Sequence, residues 1–160
     1  MHPNPSPCFF KRNWKRYPND RFIMWTKSLS DLHDFHQLLN QLEPSIQYET
    51  KYSQCELEFL DLKVLLNDGK ISLDIYYKNT DTHQYVPFNS CHPRHTKTNI
   101  PYNEARRICT IVENTNRKAT RLDELGNFLK ARDYPDSLIS MGILRALSVA
   151  QESLRKDRKN

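Results

Sequence analysis

Glycine is scarce in this chain of 160 residues, which has three glycines against nine prolines. This composition excludes collagen-like and low-complexity structure. No apolar run approaches the roughly 18 residues that a membrane span needs, and residues 1–7 are polar and proline-rich, unlike a signal peptide. We therefore expect an intracellular protein, cytoplasmic or nuclear, with no membrane partner.

The cysteines form no C-x-x-C pair. There are four of them, widely spaced, at Cys8, Cys55, Cys91 and Cys109. In a reducing compartment such residues are most simply free thiols.

Positive charge is concentrated toward the C-terminus, although the net charge is only +5. Residues 31–93 carry four Lys and Arg and ten acidic residues, whereas residues 94–160 carry fourteen Lys and Arg and eight acidic residues. A basic C-terminal third fits a polyanionic partner such as nucleic acid. The alternative is an ordinary solvated helical surface.

The N-terminal part shows one hairpin and one helix. The sequence predicts a tail over residues 1–13 and a strand–turn–strand over residues 14–26. It then predicts a helix over residues 28–42 and a weakly alternating strand over residues 46–51. Pro18 and Asn19 are turn formers. Ser28 and Asp31 resemble a helix-capping pair that precedes leucines at helical spacing.

A second hairpin is predicted further along. Residues 56–66 are apolar and favour a strand, Asn67-Asp68-Gly69 forms the turn, and residues 71–77 alternate between apolar and polar. Residues 79–99 show no periodicity and are predicted as a long loop.

The remaining chain has the periodicity of three helices. Pro101 suits a first helical position, which predicts a helix over residues 102–113. Thr120 with Asp123 opens the second, and Pro135-Asp136 opens the third, which runs through Leu147 toward Leu154. The whole pattern predicts an α+β fold with a separable helical subdomain.

Several short motifs occur in an order that resembles one family. They are Arg16-Tyr17-x-x-Asp20-x-Phe22-x-x-Trp25, Leu39-Asn40-x-x-x-Pro44-Ser45-Ile46, Glu58-Phe59-Leu60-Asp61-Leu62, Asp68-Gly69-Lys70, Tyr77-Lys78-x-Thr80-Asp81, Ser90-x-His92-Pro93-x-His95, Ile100-Pro101-Tyr102 and Asp133-Tyr134-Pro135. Together they resemble the C-terminal part of reverse transcriptases of Penelope-like retroelements, over residues 14–147. The helical part also resembles the animal-type helix-turn-helix module found next to such fragments.

This resemblance implies a domain organisation. Residues 14–93 correspond to a partial palm, with palm-derived hairpins and one packed helix. Residues 94–154 correspond to a three-helix, thumb-like or helix-turn-helix region, and residues 155–160 form a basic tail. Asp133 stands where the family usually carries glycine.

The resemblance also implies a degenerate catalytic turn. The segment Tyr17-Pro18-Asn19-Asp20 is similar to the family's Tyr-x-Asp-Asp turn, but Asn19 replaces one acid, so Asp20 is the remaining catalytic residue. Two-metal phosphoryl transfer needs several carboxylates, and an amide is a poor ligand for Mg²⁺. The intact family uses magnesium, whereas here we expect no cofactor, and no polymerisation by this chain alone.

The implied partner is an RNA or DNA duplex, bound through phosphates. Its predicted contacts are the basic residues of the thumb-like region, namely Arg94, Lys97, Arg106, Arg107, Arg117, Lys118 and Arg121. The leading hypothesis is a degenerate polymerase fragment that retains weak nonspecific binding. The alternatives are a helix-turn-helix module that binds protein or duplex, and a decayed fragment without a selected function.

Two other groups of residues have simpler interpretations than a metal site or an acid–base site. The cluster Cys91-His92-Pro93-Arg94-His95, with His83 nearby, has no second pair of zinc ligands and is interpreted as a structural loop whose imidazoles bond to backbone groups. A second group contains the carboxylates of two predicted strands, which we expect on a solvated sheet face: Glu56, Glu58, Asp61 and Asp74.

Overall fold

A computed structural model describes residues 14–42 and 44–157 of the protein. The predicted tail, with Cys8, lies outside the described residues, as does the end of the predicted basic tail. The described chain has two small antiparallel sheets and four helices, which confirms the α+β class. It divides into two compact units between Leu60 and Asp61. The domain boundaries implied by ancestry stay predictions.

The first unit begins with the predicted hairpin. Its strands are β1 (Trp14–Arg16) and β2 (Arg21–Ile23), which pair antiparallel with Arg16 opposite Arg21. The Tyr17 N–H donates to the Asp20 carbonyl at 2.8 Å and closes the turn. The predicted strand–turn–strand is therefore confirmed.

Helix α1 (Leu29–Leu42) begins with the predicted capping pair. The Asp31 N–H donates to Ser28 Oγ at 3.1 Å, and the Ser28 N–H donates to Asp31 Oδ2 at 3.2 Å. These reciprocal bonds satisfy two of the donors that a helix N-terminus leaves open. The helix has no buried residue within the described part of the chain.

The strand predicted over residues 46–51 is wrong. This segment forms no regular structure, because side chains of α1 take the hydrogen bonds of Tyr48. Asn40 Oδ1 accepts from the Tyr48 N–H at 2.7 Å, and His36 Nε2 lies 2.6 Å from the Tyr48 carbonyl oxygen. Backbone groups bonded in this way are no longer available to a neighbouring strand.

The strand predicted over residues 56–66 is two strands. β3 (Glu56–Phe59) ends before Leu60, whose φ of 56° lies in the left-handed region, and β4 (Leu62–Asn67) begins after it. The apolar pattern does not reveal this break, because the turn begins at Leu60, a residue type that rarely adopts a positive φ.

The second unit begins with the predicted tight turn. β4 pairs antiparallel with β5 (Lys70–Ile75), and Asn67 lies opposite Lys70. The two residues between them, Asp68 and Gly69, have φ of 49° and 74°. Positive φ at both positions is the type I′ geometry that Asp-Gly favours, so the predicted turn is confirmed.

Three helices follow, and two begin earlier than predicted. They are α2 (Arg94–Ile111), α3 (Thr115–Lys130) and α4 (Asp136–Asp157). Pro101 lies inside α2, so the prediction that it opens the helix is wrong, as is the loop prediction for residues 94–99. α3 begins after Asn114, whose Oδ1 accepts the Arg117 N–H at 3.0 Å. The start of α4 at Asp136 is confirmed.

The core of the second unit is formed by the three helices with one residue of β5. Its buried members are Ile75, Ala105, Ile108, Cys109, Val112, Leu122, Leu125, Leu129, Tyr134, Ile139 and Ala146. The most extensive helix contact joins α2 and α4.

The contact between α2 and α4 is closest at Pro101 and Gly142. A Cβ at Gly142 would lie 2.8 Å from Pro101 Cβ and 2.8 Å from the backbone nitrogen of Tyr102. Both distances are shorter than van der Waals contact, and the second is to backbone. Glycine at this position therefore permits the helices to approach.

We predict that Gly142→Ala lowers the free energy of unfolding by roughly 1–3 kcal/mol, the cost of overpacking a fitted contact. Urea unfolding followed by circular dichroism measures the change. The matched control is Gly126→Ala on α3, where the nearest atom to an added Cβ is Ile139 Cγ2 at 3.9 Å. That variant should gain roughly 0.5–1 kcal/mol because alanine is the better helix former. Equal effects of the two substitutions would contradict the packing argument.

Candidate nucleic-acid interface

Arg121 holds the hairpin against α3. Its Nε and Nη2 donate to the two carboxylate oxygens of Asp74, each at 3.1 Å, and Nη2 also donates to the Ile75 carbonyl at 3.3 Å. Nη1 donates to Glu124 Oε2 at 2.9 Å. Four of the five N–H groups of the guanidinium thus donate to groups of the protein itself. Its predicted role as a phosphate contact would require it to leave two carboxylates.

The expectation that Asp74 lies on a solvated sheet face is wrong, because only 6% of the residue is exposed. Burial by itself raises the pKa of Asp74, but the hydrogen bonds from Arg121 and from the Ile75 N–H outweigh it and lower the pKa below 3.8. The same bond with Asp74 raises the pKa of Arg121. The pair therefore remains charged at neutral pH.

Lys97 is also engaged inside the unit. Its Nζ donates to the carbonyls of Phe88 and Ser90 at 2.8 and 2.7 Å and lies 5.6 Å from the centre of the Phe88 ring. The hydroxyl of Tyr134 donates to the Val86 carbonyl at 2.9 Å. These bonds fasten the segment before α2 to the helices, and they give Lys97 a structural role that charge counting does not reveal.

Two of the predicted cations are partly engaged. Arg107 Nη2 lies 2.8 Å from Asp61 Oδ2, and 40% of the Arg107 side chain is exposed. Arg117 Nη1 lies 3.9 Å from Asp74 Oδ2, and 45% of its side chain is exposed. Exposed ion pairs of this kind contribute little to stability, so both side chains can exchange their partners at low cost.

Arg107 also borders an open cleft of about 360 Å³, whose lining residues are Asp61, Tyr76, Tyr77, Lys78, Thr80, Asp81 and Arg107. Two cations and two carboxylates line the cleft, so its charges cancel and it does not favour a polyanion.

Three of the predicted cations form no ion pair with the described residues. They are Arg94, Arg106 and Lys118. Arg94 and Arg106 are exposed, and Lys118 is half-buried in the first turn of α3. Their charges are therefore available to an outside anion.

Asn99 and Asn103 are two further exposed polar residues of α2, outside the predicted set of basic residues. The loop predicted over residues 79–99 includes Asn99, whereas Asn103 lies in the predicted helix, so their spacing of one helical turn becomes visible only because the helix begins at Arg94. The signal that could have found the start is Pro93, which the helix follows directly.

The turn with Asn19 and Asp20 is exposed. Within residues 14–42 and 44–157, no three His, Cys, Asp or Glu side chains come together in a metal-binding arrangement. That statement covers both the turn at Asn19 and Asp20 and the cluster around Cys91.

The histidines of the Cys91 cluster have other contacts. His92 Nδ1 lies 3.1 Å from Ser90 Oγ, a hydroxyl and not the backbone group that we expected. The His83 ring stacks on Phe128 with ring centres 4.0 Å apart. Among the described cysteines, Cys55, Cys91 and Cys109 are free thiols, as predicted.

Residues 84–143 match the sequence-family model of the animal helix-turn-helix domain. The matched segment contains α2, α3 and the beginning of α4, so it fits the predicted helix-turn-helix region. No curated protein and no solved structure matches the chain significantly. The similarity to reverse transcriptases stays a prediction. Among the described helices, none combines the length and the apolar character of a membrane span.

We predict that Asp74→Asn lowers the free energy of unfolding at pH 7 by about 1.5–3 kcal/mol, the contribution of hydrogen bonds to a charged group. Because the folded-state pKa of Asp74 is lowered, its stabilisation is present above pH 3.8 and is lost as the pH falls below that value. The variant should therefore lose less stability than the wild type between pH 5 and pH 2, as measured by urea unfolding. The control is Asp123→Asn, at an exposed position of α3. If the wild type and Asp74→Asn respond identically to acid, the ion pair has no such role.

Proposed function

We propose that the chain is a catalytically degenerate remnant of a retroelement reverse transcriptase whose helix-turn-helix domain retains nonspecific binding to a nucleic-acid duplex. The observation that carries the proposal is the coincidence of this domain with three cations, Arg94, Arg106 and Lys118, that have no counter-ion among the described residues.

The electrostatics support contacts to phosphate. Two of the basic residues are held by the fold, since Lys97 donates to two backbone carbonyls and Arg121 donates to the carboxylates of Asp74 and Glu124. The remaining cations would each release condensed counter-ions on meeting a duplex, which is the main source of sequence-independent affinity. Arg107 and Arg117 can add to this surface by exchanging weak ion pairs for phosphates.

The ancestry is supported by the order of the motifs and by the neighbouring helix-turn-helix domain. In this proposal the turn at Asn19 and Asp20 is inherited from a two-metal site. One carboxylate at an exposed turn gives too few ligands for two Mg²⁺ ions. The function therefore lies in binding and not in polymerisation.

We predict that binding to a primer–template duplex weakens steeply with salt and that Arg94→Gln/Lys118→Gln flattens this dependence. The slope of log Kobs against log salt concentration should fall by about 0.9 for each phosphate contact removed, hence by nearly two for the double variant. Fluorescence anisotropy with a labelled duplex at several salt concentrations measures both slopes.

The matched control removes the same charge elsewhere in the second unit. Lys70 lies at the tip of the β4–β5 hairpin, and Lys130 pairs with Asp136 at 3.1 Å. Lys70→Gln/Lys130→Gln should keep the wild-type slope. Absence of binding at low salt would overturn the proposal, and so would identical slopes for the two double variants.

A further inference from the structure

Strand β5 lies at the end of its sheet and has one unpaired edge. It pairs with β4 on one side, and no described strand pairs with it on the other. Because Asn67 and Lys70 flank a two-residue turn, they form a hydrogen-bonded pair, and the two kinds of pair then alternate along the ladder. The backbone groups of Ile71, Leu73 and Ile75 therefore point away from β4.

The contacts of Ile75 agree with this orientation. Its carbonyl accepts from Arg121 Nη2 at 3.3 Å, and its N–H donates to Asp74 Oδ1 at 2.8 Å, so both of its outward groups are used. The N–H and C=O groups of Ile71 and Leu73 have no hydrogen-bond partner among the described residues. Such a row of open backbone groups is a template for one more strand.

The same edge exposes apolar side chains near the tip of the hairpin. Ile71 and Leu66 are opposite each other on β5 and β4, and they are 45% and 44% exposed. Leu73 follows Ile71 on the same face, because side chains alternate along a strand. A strand added beside β5 would place its own side chains against Ile71 and Leu73. The edge therefore offers apolar contact as well as hydrogen bonds.

The sequence of β5 is complementary to itself in one antiparallel register. When Ser72 lies opposite Ser72 of a second copy, Ile71 of each copy forms a hydrogen-bonded pair with Leu73 of the other. All the open backbone groups are then satisfied. In the same register Lys70 of each copy lies opposite Asp74 of the other, and opposite charges at such positions stabilise a sheet.

The neighbouring registers are less favourable. If Ile71 lies opposite Ile71 of the second copy, Asp74 lies opposite Asp68, which places like charges together. A shift in the other direction needs the outward groups of Ile75, which are already bonded to Arg121 and Asp74. The charges thus select one register, although the existing pair with Arg121 limits how much further attraction Asp74 adds.

We propose that β5 pairs with β5 of a second copy of this chain, antiparallel and centred on Ser72, to form a symmetric dimer. The contact consists of one short strand from each copy, which is smaller than the roughly 1,200 Å² that stable complexes bury. The dimer is therefore weak and forms at high protein concentration. It requires no nucleic acid, so it is independent of the proposed function.

The decisive test is disulfide crosslinking of the full chain, with every cysteine except the buried Cys109 replaced by serine. In the proposed register Ser72 faces its own counterpart in a non-hydrogen-bonded pair, with Cα atoms about 4.5 Å apart, which a disulfide can span. Mild oxidation of Ser72→Cys should therefore give a covalent dimer. The matched control is Lys70→Cys, whose counterpart lies four residues further along, about 14 Å away, and should not crosslink.

A second measurement uses the chain with its native cysteines and without nucleic acid. In sedimentation equilibrium under reducing conditions, the average mass should rise toward twice that of one chain as the concentration increases. Lys70→Glu should raise the dissociation constant by roughly tenfold, because each dimer then contains two pairs of like charges. Lys78→Glu makes the same change at an exposed position after the strand and should leave the constant unchanged.

The contrary outcomes are distinct. A chain that stays monomeric at every concentration would overturn the proposal, and the open edge would then be left for an extended peptide of another protein. Equal crosslinking of Ser72→Cys and Lys70→Cys would also overturn it, since the contact would not be centred on Ser72. Folding does not confuse the result, because Ser72→Cys replaces one atom and crosslinking is a gain. Binding to a duplex is measured separately, so either proposal can fail alone.

Discussion

The close approach of α2 and α4 at Pro101 and Gly142 determines how the second unit is arranged. A proline within a helix removes a backbone donor and crowds the preceding turn, and a glycine within a helix loses more conformational entropy than alanine. Each is costly alone, but here the missing Cβ of Gly142 makes room for the Pro101 ring. The two helices can then bury Ala105 between them, and this fixes which side of α2 faces the solvent.

The second constraint is electrostatic. Asp74 on the hairpin and Arg121 on α3 form a paired contact over 47 positions of the sequence, with Glu124 as a further partner. Charge density along the sequence identifies Arg121 as a surface cation and Asp74 as a surface acid. Neither assignment anticipates the pair, because the sequence does not show which strand residue meets which helix residue. The cations left for a ligand are those that the fold does not use.

Short sequence motifs correctly predicted the helix start and the turn that they determine directly. Ser28 and Asp31 identify the start of α1, and Asp68-Gly69 identifies a two-residue turn, because the cause lies within three or four residues. The start of α2 was missed, because Pro101 lies inside the helix although proline is typical of a first helical position. Asp133 lies between these two cases, because its residue type tolerates the local backbone geometry without favouring it. Its φ of 63° is the geometry that favours glycine, which the resembling family carries there, and Asp tolerates it at some cost.

The contact between Pro101 and Gly142 also determines when the second unit can complete its core during synthesis. Gly142 is added 41 residues after Pro101. At the usual pace of about 5–20 residues per second, that delay is about 2–8 s. Throughout this time the apolar side of α2 has been made but its largest covering surface has not. The second unit can therefore complete its core only when most of α4 has emerged from the ribosome.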